Sequence, residues 1–131
     1  MPATQAALRI RERVGPTPRG MVVVAMGDCA GCISFDFAAW ARLLAGRRIP
    51  LIGLADASPA AIRTFVAELP AGVMAVPDPK SETLGALNAI WAGRAFYFDQ
   101  GLRLRWRTSM QQGMQGGADL RAFREYLDAR Q

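Results

Sequence analysis

Short apolar runs alternate with amphipathic stretches along most of this chain. Runs rich in β-branched residues predict buried strands, whereas apolar residues that recur every three or four positions predict helices. The predicted strands cover residues 22–25, 51–55, 73–76, 96–98 and 102–107. The predicted helices cover residues 33–44, 58–69, 81–90 and 118–129. This alternation requires right-handed crossovers and a sheet that is covered by helices on both faces.

The last two predicted strands are joined by Asp99-Gln100-Gly101, which is typical of a tight hairpin turn. A hairpin at this point makes the central sheet mixed. In the final strand, Leu102, Leu104 and Trp106 alternate with arginines, as expected for a solvated edge strand that resists aggregation between sheets. The chain is therefore predicted to be an α/β protein, a three-layer sandwich with a mixed central sheet and helices on both faces.

The first 20 residues are polar and basic, and they differ from the rest of the chain. Leu8, Ile10 and Val14 fall on one side of a period of two, with arginines on the other side. This pattern predicts a short extended arm over residues 1–20, laid on the edge of a single domain over residues 21–131. A fraying helix is the alternative for the arm.

Composition narrows the class of protein. The chain has 131 residues, of which 51% are hydrophobic and 21% charged, as expected for one globular domain. No apolar run approaches the roughly 20 residues of a membrane-spanning helix, so no membrane insertion is expected. The net charge of +5 comes mainly from arginines that are spread along the chain, in short clusters without interleaved exposed aromatic residues. Nucleic acid is therefore not an expected partner.

The candidate chemistry lies in two cysteines, since the chain contains no histidine for imidazole catalysis or metal binding. Cys29 and Cys32 are the only cysteines, and they follow the first predicted strand. At the start of a helix, Cys29 would be the nucleophilic thiolate and Cys32 the resolving thiol, with Asp28 as a helix cap whose charge opposes thiolate formation. Two alternatives are a metal site shared between two copies of the chain and a pair of inert buried cysteines.

With these cysteines in place, the sequence resembles the thioredoxin superfamily, specifically its TlpA-like and peroxiredoxin-related redoxin branch. The resemblance covers most of the chain, from about Met21 to the C-terminal helix. It rests on four segments, which are Arg19 to Val24, Cys29-Ala30-Gly31-Cys32, Leu51 to Asp56, and Phe96 to Gly101. The resemblance implies a thioredoxin-like fold and thiol–disulfide exchange at the dithiol. Such exchange needs no bound cofactor, because the electrons reside in the two thiols. No metal is expected, because two cysteines without histidine provide too few ligands in one chain.

The resemblance also assigns neighbours to the dithiol. Asp28 and Gly31 stand where thioredoxins usually carry tryptophan and proline, and Gly93 stands where the family has a proline that faces the cysteines. Val23 takes the place of a buried acid. Trp91 is expected near the dithiol. Arg94 either approaches Cys29 and favours its thiolate or is a solvated surface residue.

The predicted function is thiol–disulfide oxidoreductase. The implied partners are a disulfide-containing protein or small thiol as substrate, and an electron donor that the sequence does not identify. A non-catalytic thioredoxin-fold binding module is one alternative, and a peroxiredoxin-like thiol peroxidase is another. Because no apolar segment of signal-peptide length opens the sequence, the cytoplasm is the expected location, with the periplasm as the alternative if a leader has been removed.

Overall fold

Five helices and five strands form the part of the chain that the structure, a computed structural model, describes: residues 3–27, 35–78, 82–86, 94–108 and 116–130. The helices are α1 (Ala3–Val14), α2 (Phe37–Ala45), α3 (Ile62–Glu68), α4 (Glu82–Ala86) and α5 (Gly116–Asp128). The strands are β1 (Met21–Gly27), β2 (Leu51–Ala55), β3 (Val73–Pro77), β4 (Ala95–Phe98) and β5 (Leu104–Arg107).

The five strands form one mixed sheet in the order β3-β2-β1-β4-β5. β1 pairs in parallel with β2, and β2 pairs in parallel with β3. β4 is antiparallel to β1, and β5 is antiparallel to β4. β1 is therefore the central strand, which explains why its residues from Met21 to Met26 are all buried and all apolar.

Alternation along the strands divides the core between the two faces of the sheet. Val23 and Phe96 belong to a cluster beneath α1, which we call the α1 face. Val22 belongs to a second cluster with Trp40 of α2 and Phe123 of α5, which we call the α5 face. Helices thus cover both faces, and the predicted three-layer α/β sandwich is confirmed.

The N-terminal segment departs from the extended conformation that its period of two predicts. Residues 3–14 form helix α1, so the extended prediction is wrong and the helical alternative is correct. Ala6, Ala7 and Ile10 are buried against the sheet, whereas Leu8 is exposed. Spacings of three and four between these residues fit a helix face. The period of two counted only the larger apolar residues and left out the alanines.

Two predicted helix starts are also displaced. Residues 35 and 36 are not helical, and α2 begins at Phe37 rather than continuing from Ile33. Asp36 is its N-cap, and its carboxylate accepts a hydrogen bond from the Ala39 N–H at 3.0 Å. Asp28, which was predicted to cap the helix after the cysteines, lies outside the described residues.

The start of α3 is displaced for a similar reason. The helix predicted from Ser58 begins at Ile62, because Ser58 closes a separate turn by accepting the Ala61 N–H at 3.3 Å. Val66, which was predicted to face inward, is 49% exposed. α3 packs on β3, the last strand on that side of the sheet, so part of its apolar face extends beyond the core.

The hairpin at the other side of the sheet contains a bulge. Tyr97 pairs with Trp106, whereas Phe98 pairs with Leu104, so Arg105 is the additional residue. Leu104 consequently packs on the α1 face and Trp106 on the α5 face, although the sequence pattern placed both on one side. β5 is an edge strand as predicted, and its three neighbouring arginines, which are Arg103, Arg105 and Arg107, are exposed.

The C-terminal helix agrees with its prediction, since α5 buries Phe123 and Leu127. The helix predicted over residues 81–90 is described only as the short helix α4, and residues 87–90 lie outside the described part.

Among the helices of the described ranges, none has the length and apolar character needed to cross a membrane.

Candidate active site at the carboxyl edge of the sheet

The carboxyl end of β1 is the centre of the candidate site. β1 ends at Gly27, and the chain continues directly into the predicted dithiol segment. The predicted site residues of this segment lie outside the described residues, namely Asp28, Cys29, Ala30, Gly31 and Cys32. Trp91 and Gly93 lie outside them as well. The described surroundings therefore define what chemistry this edge of the sheet supports.

Two strands flank the end of β1. In the parallel pair, Gly27 lies opposite Ala55 of β2, and Asp56 follows at the end of that strand. In the antiparallel pair, Val24 lies opposite Ala95 of β4, and Arg94 precedes that strand. A carboxylate-bearing residue and a guanidinium-bearing residue therefore stand on either side of the strand that leads to Cys29.

Arg94 is a buried residue, with only 3% of its surface exposed. Its backbone carbonyl oxygen accepts the N–H of Ala25 at 2.9 Å. Its guanidinium carbon lies 5.2 Å from the ring centroid of Phe96. Burial, together with repulsion from Arg107, lowers the pKa of Arg94. The alternative that Arg94 is a solvated surface residue is therefore wrong.

Thr108 holds Arg94 at this edge. The Arg94 Nη2 atom donates a hydrogen bond to the Thr108 carbonyl oxygen at 3.2 Å. The Thr108 hydroxyl accepts the Ala95 N–H at 3.2 Å, and the Thr108 N–H donates to the Ala95 carbonyl oxygen at 3.0 Å. The beginning of β4 is thus tied to the end of β5, and the Arg94 guanidinium is held in one orientation.

Asp78 is a buried acid at the same edge that sequence reasoning did not single out. It follows β3 and is only 4% exposed. Its N–H donates to the Ala55 carbonyl oxygen at 2.7 Å, and its carboxylate accepts the Thr83 N–H at 2.9 Å. The available signal was an aspartate directly after a predicted strand and a few residues before a helix, which is the position of a capping side chain. Asp78 therefore anchors the first turn of α4.

A groove of about 440 Å³ opens beside Asp78, between α1 and the ends of β2 and β3. Its floor includes Ile10 and Leu54, and Arg13 lies along its wall. An exposed ion pair between Arg9 of α1 and Glu82 of α4 spans 3.1 Å at its side. The groove brings solvent to the carboxyl edge of β2 and β3.

The residues that follow the dithiol segment are anchored in the core. The Phe35 ring lies 4.8 Å from the Phe37 ring and 5.1 Å from the Trp40 ring, measured between centroids. Trp40 in turn stacks on Phe123 of α5 at 5.3 Å. Aromatic packing on the α5 face therefore fixes where the chain leaves the candidate site.

Comparison with known proteins gives structural likenesses and no sequence match. No protein family matches the chain, and no curated protein is significantly similar to it in sequence. A protein from Chlorobium tepidum described as thiol:disulfide interchange protein DsbE has 16% identity and a TM-score of 0.61, with 86% of this chain and 80% of that chain covered.

Two further solved structures are similar. A secreted Mycobacterium tuberculosis disulfide oxidoreductase homologous to E. coli DsbE has 13% identity and a TM-score of 0.56, with 81% of this chain and 83% of that chain covered. Yeast Sco1 has 9% identity and a TM-score of 0.56, with 86% of this chain and 82% of that chain covered. At these identities the likeness is one of fold, and the fold that the resemblance implied is confirmed.

Proposed function

We propose, from the thioredoxin-like fold of this chain, that it is a thiol–disulfide oxidoreductase with Cys29 as nucleophile and Cys32 as resolving thiol. One observation carries the proposal. The central strand β1 ends at Gly27, two residues before Cys29. The two cysteines therefore directly follow the middle strand of the five-stranded sheet. Two of the structurally similar proteins are described as thiol–disulfide enzymes, which supports the same assignment.

The proposed reaction has two exchange steps. The Cys29 thiolate attacks one sulfur of a substrate disulfide, forms a mixed disulfide and releases the other substrate sulfur as a thiolate. The Cys32 thiolate then attacks the Cys29 sulfur and releases the second substrate sulfur. The substrate gains two electrons and the two protons of the dithiol, and Cys29 and Cys32 are left as a disulfide. An external dithiol donor returns the protein to its reduced form.

Arg94 is the described residue that we assign to tuning this chemistry. A buried guanidinium at the beginning of β4, the strand beside β1, favours a thiolate over a thiol, because opposite charges stabilise the ionised form. Its tie to Thr108 keeps the charge in place during the reaction. The other proposed contributors around the dithiol remain those identified by the sequence, which are Asp28, Ala30, Gly31, Trp91 and Gly93.

The proposed substrates are disulfide-containing proteins or small thiols. The two similar thiol–disulfide enzymes support protein thiols as the general class. The cytoplasmic location expected from the sequence gains no support from these likenesses, since the Mycobacterium tuberculosis protein is described as secreted. A location outside the cytoplasm is therefore the proposal that fits them better.

A redox titration tests the proposal. The purified protein is equilibrated in dithiothreitol or glutathione buffers, free thiols are alkylated, and intact mass counts the alkyl groups at each potential. A single two-electron transition between an unmodified and a doubly alkylated form is expected. A midpoint reduction potential of roughly −270 mV indicates a reductant, and one of roughly −120 mV indicates an oxidant.

Cysteine variants separate the two proposed roles. Cys32→Ser is expected to accumulate a mixed disulfide with substrate, because the first exchange proceeds and the second does not. Cys29→Ser is expected to form no such adduct and to have no turnover. If the wild-type protein forms no internal disulfide under oxidising buffer, the oxidoreductase assignment is wrong and the non-catalytic binding module takes its place.

A further inference from the structure

The chain is held in the core on both sides of the segment that carries the two cysteines. Residues 28–34 join the end of β1 to Phe35, and Cys29 and Cys32 both lie among them. Met26 before this segment and Phe35 after it both pack in the cluster of the α5 face. We call the packing of Met26 the entry anchor and the packing of Phe35 the exit anchor.

The entry anchor is the contact of Met26 with Gly53 of β2. β1 contains a bulge here, since Ala25 pairs with Leu54 and Gly27 pairs with the next residue of β2, which leaves Met26 as the additional residue. Met26 is only 1% exposed, and its side chain fills the space that a Cβ atom of Gly53 would occupy. A bulge changes the direction of its strand, and a buried side chain fixes this one directly before the dithiol segment.

The exit anchor is the contact of Phe35 with Phe37 and Trp40. The Phe35 ring centroid lies 4.8 Å from that of Phe37 and 5.1 Å from that of Trp40. The Phe35 carbonyl oxygen also accepts the Phe37 N–H at 3.0 Å, so the backbone is fixed in a tight turn before α2. Trp40 is fully buried, so the surface on which Phe35 rests is part of the core.

Holding both ends of a short segment limits the conformations that its residues adopt. Joining two thiols in a disulfide costs conformational entropy, and the cost is smaller when the chain around the thiols is already restricted. Loss of either anchor therefore favours the dithiol over the disulfide and makes the reduction potential less negative. A contact that only stabilises the fold supports both redox forms equally, and its loss leaves the potential unchanged.

We propose that Met26 and Phe35 are positioning residues that set the reduction potential of the Cys29–Cys32 pair. This inference rests on the proposed function and describes how that same site is regulated. When the pair is oxidised, the two thiols lose two electrons and two protons to an oxidised thiol such as glutathione disulfide, which becomes two thiols. Neither anchor exchanges electrons. Each holds one end of the segment, so that the two sulfurs stay within reach of each other.

The midpoint reduction potential of Phe35→Ala tests the exit anchor. Wild-type and variant proteins are equilibrated in glutathione buffers, and intact mass after alkylation counts the dithiol and disulfide forms. The equilibrium constant for forming the internal disulfide is expected to fall by roughly threefold to tenfold in the variant, a shift of about 15–30 mV toward less negative potential. Phe35→Tyr keeps the ring contacts and is expected to keep the wild-type potential.

Leu127→Ala is the matched control for Phe35→Ala. Leu127 is also buried on the α5 face, but it lies beside Tyr97 and Asp99, toward the end of β4. The variant is expected to lose stability and to keep the wild-type potential. Phe35→Leu removes the ring at a smaller loss of packing, so it provides the same measurement if Phe35→Ala does not fold. An unchanged potential in the Phe35 variant, or an equal shift in Leu127→Ala, overturns the inference.

Gly53→Ala tests the entry anchor from the neighbouring strand. The added Cβ atom would overlap the Met26 Sδ atom, so the Met26 side chain must move. The midpoint potential is expected to shift in the same direction as that of Phe35→Ala. A potential equal to that of wild type overturns the role of Met26.

Unfolding of each redox form separates this inference from the proposed function. Urea unfolding is measured for the oxidised and the reduced forms of wild type and Phe35→Ala. Since the two redox forms and their unfolded states make a thermodynamic cycle, the variant is expected to destabilise the oxidised form more than the reduced form. Equal losses in both forms overturn the inference and leave the oxidoreductase standing. The absence of any internal disulfide in oxidised wild type overturns the proposed function as well.

Discussion

The Arg94 guanidinium donates a hydrogen bond from Nη2 to the carbonyl oxygen of Thr108 at 3.2 Å. This contact joins the residue before β4 to the residue after β5, at the edge where β1 leads to Cys29. An arginine fixed in this way presents its charge without the entropy loss of ordering a mobile side chain. The proposed tuning of the dithiol depends on that fixed charge.

Replacing Arg94 with methionine is expected to raise the pKa of the Cys29 thiol. Methionine keeps much of the side-chain volume and removes the positive charge that stabilises the thiolate. The expected change is a rise, because loss of an opposite charge disfavours the ionised form. Thiolate absorbance near 240 nm as a function of pH, in a Cys32→Ser background, measures this value.

Arg94→Lys is the control for that prediction. Lysine preserves the charge but loses the planar guanidinium that reaches Thr108 and covers Phe96. Its Cys29 pKa is expected to remain nearer the wild-type value than that of Arg94→Met, even if both variants lose similar stability. Equal pKa values in Arg94→Met and wild type would exclude Arg94 as a tuning residue.

Gly20→Ala is expected to destabilise the protein by about 3 kcal/mol. Gly20 has a φ of +89°, and a Cβ atom there would collide with the Phe98 carbonyl oxygen. Gly15 has a similar φ of +92° and open space around the same position, so Gly15→Ala is expected to cost only about 1 kcal/mol. Urea unfolding of both variants measures the difference, and equal losses would show that the close approach at Gly20 is unimportant.

Asp99 is expected to make folding stability depend on acidic pH. Partial burial raises the pKa of Asp99, but hydrogen bonds from Arg105, Arg103 and Gly101 outweigh it, so the net pKa lies below its usual range. The folded state therefore binds a proton less readily than the unfolded state. The stability from Asp99 is present above the unfolded pKa of about 3.9 and is lost as pH falls through the lower folded value.

The variant Asp99→Asn tests this pH dependence. It is expected to lose about 1–2 kcal/mol at pH 7 and to show a shallower fall in unfolding free energy between about pH 5 and pH 2. Glu125→Gln on α5 removes an exposed carboxyl group and is the matched control. If the unfolding free energy of Asp99→Asn falls as steeply with decreasing pH as that of Glu125→Gln, the role assigned to Asp99 is wrong.

Asp36→Ala is expected to lower stability by about 1 kcal/mol through the start of α2. The lost interaction is the hydrogen bond from the Ala39 N–H to the Asp36 carboxylate. Asp36→Asn keeps a side-chain oxygen that caps a helix, so it is expected to stay within a few tenths of a kcal/mol of wild type. Thermal unfolding measures both variants, and equal losses would show that charge rather than capping is responsible.

Much of the sheet was predictable from local sequence. The apolar run that starts at Met21 and the run that starts at Leu51 are buried on both faces, so composition alone identifies them as strands. The N-terminal helix was not predictable in the same way, because Ala6 and Ala7 provide an apolar face only where another element packs closely on them. The bulge at Arg105 arises from the pairing of β4 with β5, which no single segment encodes.

The sequence also identified only some of the residues around the candidate site. The sequence located Cys29 and Cys32 after the first strand and nominated Arg94 from the resemblance, but it left Arg94 open between a buried and a solvated position. Asp78 was not nominated, since an aspartate in a predicted loop is ordinarily exposed. Burial of both residues depends on contacts with segments distant in sequence, from Thr108 to Arg94 and from Ala55 to Asp78.

The sequence by itself therefore determined the order of strands and helices from β1 onward, the mixed sheet and the position of the cysteine pair after β1. These features follow from side-chain periodicity and turn chemistry, which act over a few residues. The tertiary structure decided which strand ends meet and which charged groups lie there. Arg94 is distant in sequence from Gly27, and only the pairing of β1 with β4 places them on neighbouring strands.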